Sequence, residues 1–142
     1  MTIEHPRRRG VGLVVGLAVL AAAVVLVWSL WPAPEGPMVV SATSARHSVV
    51  LTASNLRVGT TTVELDVKDA QGQPAAPDQV RVEPVMAMMG HAIGAVVATP
   101  TEAGHFRAEG VALTMTGQWQ ITVTLVDRGG TDRLSVPVQV GT

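Results

Sequence analysis

Between Arg9 and Glu35 the chain carries no charged residue, and from Val11 to Trp31 it is apolar throughout, apart from Gly and Ser29. An α-helix of about 20 residues spans roughly 30 Å, the thickness of a bilayer core. Residues 11–31 are therefore expected to form one transmembrane helix. Arg7, Arg8 and Arg9 sit just before it. By the positive-inside rule they hold residues 1–10 in the cytoplasm and send the rest across. Trp28 and Trp31 fall at the far end of the run, where indole rings favour the interface. Gly12 and Gly16 make a GxxxG pair, read more simply as scattered small residues than as a helix-pairing face. The rival reading is a cleaved signal peptide, whose apolar region runs about 7–15 residues and ends in an Ala-x-Ala-like site. Here Ala21-Ala22-Ala23 lies mid-run and is followed by more Val and Leu. The expectation is an uncleaved signal-anchor: a single-pass cell-membrane protein whose C-terminal domain is extracytoplasmic, periplasmic where an outer membrane exists. Pro32, Pro34 and Pro37 make residues 32–37 an extended, semi-rigid linker.

The remaining segment, 38–142, is an expected extracytoplasmic domain. From Glu35 onward there are seven Lys/Arg against ten Asp/Glu, a net charge of about −3. That balance offers no basic footprint for nucleic acid. The chain has no cysteine, so disulfides, thiolate metal sites, cysteine nucleophiles and a lipid-modified cysteine are all excluded. One Phe and no Tyr leave little for an aromatic stacking platform.

The dominant period after Met38 is two. Val63, Leu65 and Val67 alternate with Thr62, Glu64 and Asp66; Val80 and Val82 with Gln79, Arg81 and Glu83; Trp119, Ile121, Val123 and Leu125 with Gln118, Gln120, Thr122 and Thr124; Leu134, Val136, Val138 and Val140 with Ser135, Pro137 and Gln139. Such alternation describes strands with one face buried and one wet. Turn residues separate them at 70–74, 102–104 and 128–130. The pattern predicts about seven strands, near 46–54, 60–68, 78–86, 92–99, 104–109, 117–126 and 132–140. Short strands at this spacing point to an all-β, immunoglobulin-like β-sandwich. Pro137 marks the last strand as an edge, and Trp119 is expected between the sheets.

The stretch that carries chemistry is Pro84-Val85-Met86-Ala87-Met88-Met89-Gly90-His91, with Met115 in a second segment. Thioethers are soft ligands that select Cu(I) and have little use for Zn²⁺, Mg²⁺ or Ca²⁺. They carry no proton near neutral pH, and an imidazole can complete such a site or hold Cu(II). On a continuing strand Met86 and Met88 share a face. Gly90 permits a bend that swings His91 towards them, and Met89 joins if the strand ends first. The plainer reading is packing, since Met fills irregular cores. Met86 continues the inward phase of Val80 and Val82, and Met115 that of Val111 and Leu113. The local concentration of soft donors favours metal binding by Met86, Met88, Met89, His91 and Met115 taken as a group.

Three segments, Val85-Met86-Ala87-Met88-Met89-Gly90-His91, Gly104-His105-Phe106-Arg107-Ala108 and Met115-Thr116-Gly117-Gln118-Trp119, occur in that order. They resemble the YtkA-like domain family over about residues 45–140. That family is found in exported or membrane-anchored bacterial proteins, including ones tied to copper uptake and oxidase assembly. The resemblance implies a β-sandwich and copper handling, with Met88 or Met89, His91 and Met115 as the family-like candidates. It also implies a membrane partner, a copper transporter or an oxidase.

Among the other histidines, His105 should face solvent opposite Phe106, reaching His91 only if their strands pair. His47 opens a strand and is expected exposed, and His5 lies on the cytoplasmic side. No Gly-x-Ser-x-Gly elbow, His-Glu-x-x-His run or phosphate loop occurs. The sequence therefore reads as a binding module and not an enzyme: an anchored copper-binding protein, with copper as Cu(I) in preference to Cu(II), acting in copper delivery or homeostasis. The competing reading is a metal-free interaction or assembly module that docks through its Met-rich surface.

Overall fold

The computed structural model describes residues 20–23, 26 and 36–142, and for His91 the backbone alone. The expected N-terminus (1–10) and most of the expected transmembrane helix (11–31) and linker (32–37) lie outside the described residues. Residues 20–23 and 26 are helical. Among the described residues no helix is long and apolar enough to cross a membrane. The chain divides into two units, Met1–Pro34 and Glu35–Thr142, and the second holds the features below.

Its described residues form ten strands: β1 (Met38–Thr43), β2 (His47–Ala53), β3 (Gly59–Asp69), β4 (Gln79–Met86), β5 (His91–Ala92), β6 (Val96–Val97), β7 (Thr99–Glu102), β8 (His105–Leu113), β9 (Gly117–Asp127) and β10 (Gly130–Val140). All named strand pairs are antiparallel. One sheet runs β1-β2-β3-β8-β7, the other β10-β9-β4-β5, with β6 also on β4. Together they make a β-sandwich.

The alternation in the sequence becomes the core. Val49, Leu51 and Ala53 stand opposite Val67, Leu65 and Val63. In the other sheet Val80 and Val82 stand opposite Leu125 and Val123, and Trp119 and Ile121 opposite Val138 and Val136. All of these are buried. Each Val, Leu or Ile so buried is worth about 1.5–3 kcal/mol. A one-residue slip would turn a whole row to solvent, which fixes the register. Pro137 lies in β10, an edge strand as its position required.

The strand count differs from the expected seven for local reasons. β8 runs past residue 109 because a bulge opposite Thr61 and Val63 inserts a residue. Gly110 takes φ +74 there, and the inward phase passes from Phe106 and Ala108 to Val111 and Leu113. A strict period of two stops at such a bulge; the strand does not. The expected strand 92–99 is instead three short ones. β5 and β6 stay on β4, and after Ala98 the chain crosses to β8 as β7. β1 was unexpected because its inward residues, Met38, Val40 and Ala42, are only half buried and Val39 faces solvent.

The connections gather at two ends. One end holds residues 54–58, 87–90, 114–116, the chain entry at Met38 and Gly141. The other holds residues 44–46, 70–78, 103–104 and 128–129.

Candidate functional site

β4 ends at Met86, whose side chain turns into the core and is 7% exposed. Its Cε lies 3.7 Å from where a Cβ on Gly117 would stand, against the start of β9. The chain then reverses through residues 87–90. The Met89 amide donates to the Met86 carbonyl (3.1 Å) and the Gly90 amide to the Ala87 carbonyl (3.4 Å). Gly90 closes the turn at φ +61, a left-handed conformation open to Gly at little cost. His91 then stands directly opposite Met86 across β4 and β5.

This geometry corrects the expectation that Met86 and Met88 share a strand face. The strand stops at Met86, and Met88 and Met89 ride the turn at 89% and 63% exposure. The early stop is also the condition under which Met89 joins Met88 on the same surface. The backbone of His91 begins β5; its imidazole lies outside the described residues.

Met115 was in phase with Val111 and Leu113, which predicts an inward side chain. It is 43% exposed, because β8 ends at Leu113 and residues 114–116 form the turn into β9. The turn is pinned from below: the Trp119 indole N–H donates to the Met115 carbonyl at 3.0 Å. Trp119 itself is 2% exposed, between the sheets as expected. It also lines a groove of about 390 Å³ with Met38, Met88, Gln118, Val138 and Gln139.

Every methionine after Met1, namely Met38, Met86, Met88, Met89 and Met115, thus lies at one end of the domain. Met38 escaped the sequence reading because it is far from the cluster in the chain and opens the strand that was not foreseen. The pairing of Met38 with Ala53 at the end of β2 is what brings it there, and no local pattern announces it. The thioethers are soft, uncharged donors, and three of the five are exposed. The set suits a soft monovalent ion. Among the described residues no group of three or more His, Asp or Glu comes together as a metal site.

The opposite end carries a connected cluster of titratable groups. His47, expected exposed, is buried. Its Nδ1 lies 3.0 Å from Asp132 Oδ2 and its Nε2 3.4 Å from Asp127 Oδ2. The Ser44 hydroxyl donates to Asp132 Oδ2. Arg46 reaches Asp127 Oδ1 at 3.4 Å, and the Gly129 amide donates to that oxygen at 2.7 Å. The partners of His47 come from the β9–β10 hairpin, far away in sequence, so position at a strand start was no guide. Burial pushes the Asp132 carboxyl up, but hydrogen bonds from Ser44 and His47, with the charges of His47 and Arg46, outweigh it. Its pKa ends below the ordinary 3.8.

His105 faces solvent on β8 and stands opposite Asp66, while Phe106 is buried. Since β8 and β5 belong to different sheets, the strand pairing that would have joined His105 to His91 does not occur.

A β-sandwich with an exposed Met-Met-Gly turn leading into His91, and a Met-x-Gly-x-Trp segment at the same end, is the class of domain the chain presents. The YtkA-like family model matches residues 41–124, more than half of the chain, and the chain belongs to that family. The matched segment includes Met86, Met88, Met89, His91 and Met115 and begins after Met38. No curated protein and no solved structure gives a significant match.

Proposed function

We propose that the chain is a membrane-anchored, extracytoplasmic copper-binding protein. It would hold Cu(I) at the methionine end and pass it to a membrane transporter or oxidase. The observation that carries the reading is that separate turns at one end of the domain present exposed thioethers. Met88 and Met89 come from residues 87–90, and Met115 comes from 114–116, all three exposed. Core-filling methionines would be buried, as Met86 is. His91, next to the Met turn in sequence, would supply a nitrogen ligand.

The strand order supports an immunoglobulin-like topology for the sandwich. β2-β3-β8-β7 over β10-β9-β4 follows the A-B-E-D and G-F-C order of immunoglobulin domains, with β1 added beyond the A position. The anchor rests on the uncharged run 11–31 behind Arg7, Arg8 and Arg9. With that topology, an impermeant protease digests the domain on intact cells, or on spheroplasts where an outer membrane exists, and a mature N-terminus near residue 30 would overturn the anchor.

The direct test is Cu(I) competition against a chromophoric chelator, using the full chain under reducing conditions. One Cu(I) per chain is expected, and His91→Ala should weaken it. The combined variant Met88→Leu, Met89→Leu, Met115→Leu should lose it, because Leu keeps apolar volume and removes only sulfur. If that variant binds Cu(I) as tightly as the parent, the exposed methionines are a docking surface for a partner protein. Adaptable Met-rich surfaces also serve that use.

A further inference from the structure

Among the five methionines of the domain, Met38 alone is neither buried in the core nor on an exposed turn. We infer that Met38 is a thioether ligand of the same soft-metal site, acting across the groove from Met88. The inference rests on the copper reading above and extends its ligand set to a residue outside the segment matched by the family model.

Three observations carry it. Met38 and Met88 line one groove of about 390 Å³, with Trp119 between the sheets as part of its wall. The polar side chains of that groove are amides, Gln118, Gln120 and Gln139, and no charged side chain lines it among the described residues. A dication entering such a groove would find no counter-charge, whereas a monovalent soft ion needs only polarizable donors. The two methionines also differ in freedom. Met38 is half buried and packs against the core, held by its register opposite Ala53. Met88 stands almost fully in solvent at the turn. One thioether is fixed and the other is free to close on an ion held against it.

The arrangement has a mechanical consequence. β1 is an edge strand of one sheet, and the 87–90 turn belongs to the other. An ion shared by Met38 and Met88 would tie the first strand of the domain to the opposite sheet.

The test uses the full chain, labelled with ¹³C at the methionine methyl groups and titrated anaerobically with Cu(I). Each methyl signal is assigned through its Met→Leu variant. The methyl signals of Met38 and Met88 should shift together and saturate at the same equivalent of metal. Met38→Leu should keep the parent's thermal stability and lower Cu(I) affinity roughly tenfold or more, the low end of what even outer-shell partners of metal sites cost. Once Met88→Leu is in place, the Met38 substitution should cost less, since ligands of one ion are coupled. A parent that binds Cu(I) while the Met38 signal stays still, or while Met38→Leu binds equally well, overturns this inference and leaves the copper reading standing. A parent that binds no Cu(I) overturns both.

Discussion

The two ends of the domain use their chemically interesting side chains to very different purposes. At one end Ser44, Arg46, His47, Asp127 and Asp132 face one another and satisfy one another. Both ring nitrogens of His47 already have carboxylate partners. At the other end Met88, Met89 and Met115 stand in solvent. A ligand-type residue whose donor atoms are spent inside the fold is holding the fold together. One whose donor atom is exposed, in a chain that could have placed a polar residue there, is free for something else.

The largest effect should come from the one residue that makes the methionine end structural. Trp119 is buried between the sheets and its indole holds the Met115 carbonyl. Trp119→Ala should cost about 3–5 kcal/mol, the usual range for a large core aromatic. Domains have only about 5–15 kcal/mol in total. Urea unfolding of the full chain measures it. An unchanged midpoint would mean that the end is as loose beneath the turns as on them.

A smaller effect is expected at the polar end. Asp132→Asn leaves the shape but removes the charge that faces His47 and Ser44. The loss should be about 1–3 kcal/mol, as for a buried partner left poorly satisfied. Its pH dependence has a definite sign. The carboxyl sits below its ordinary 3.8 in the fold, so its contribution is complete above that value. It is lost as pH falls from 3.8 through the lower folded-state pKa. Unfolding midpoints of parent and variant should therefore differ at neutral pH and converge in acid. A gap that persists below the folded-state pKa would place the contribution in packing and not in charge.

The contrast between the ends also marks what a sequence can disclose. The core rows, Val63 to Val67, Val80 to Val82, Trp119 to Leu125 and Leu134 to Val140, were legible because burial on one sheet face writes itself as period two. Trp119 took its expected place for the same reason, and Pro137 because a proline cannot donate to a central ladder. What failed was whatever depends on partners distant in the chain. His47 was misplaced because its carboxylates arrive from another hairpin. Met115 was assigned inward because nothing local says that β8 stops at Leu113. β7 was merged with β5 and β6 because a strand that changes sheets keeps its composition. Met38 went unread because only the β1–β2 register carries it to the other methionines.

The smallest effect on stability should fall where the largest effect on binding is expected. Met88→Leu and Met89→Leu together remove two sulfurs from a turn that is almost wholly in solvent. Surface substitutions of this kind stay within about 0.5 kcal/mol, so the unfolding midpoint should not move. Cu(I) affinity should nevertheless drop. The pH profile should separate thioether from imidazole. Thioethers do not titrate, whereas an unperturbed imidazole takes up a proton near a pKa of about 6.5. In the parent, affinity should weaken as pH falls through that value and level off at a thioether-based remainder. In the double variant the remainder should shrink while the step persists. In His91→Ala the step should vanish while the remainder stays. If the step persists in His91→Ala, the nitrogen comes from another histidine. If the remainder survives the loss of both sulfurs, the exposed turn is not where the metal is held.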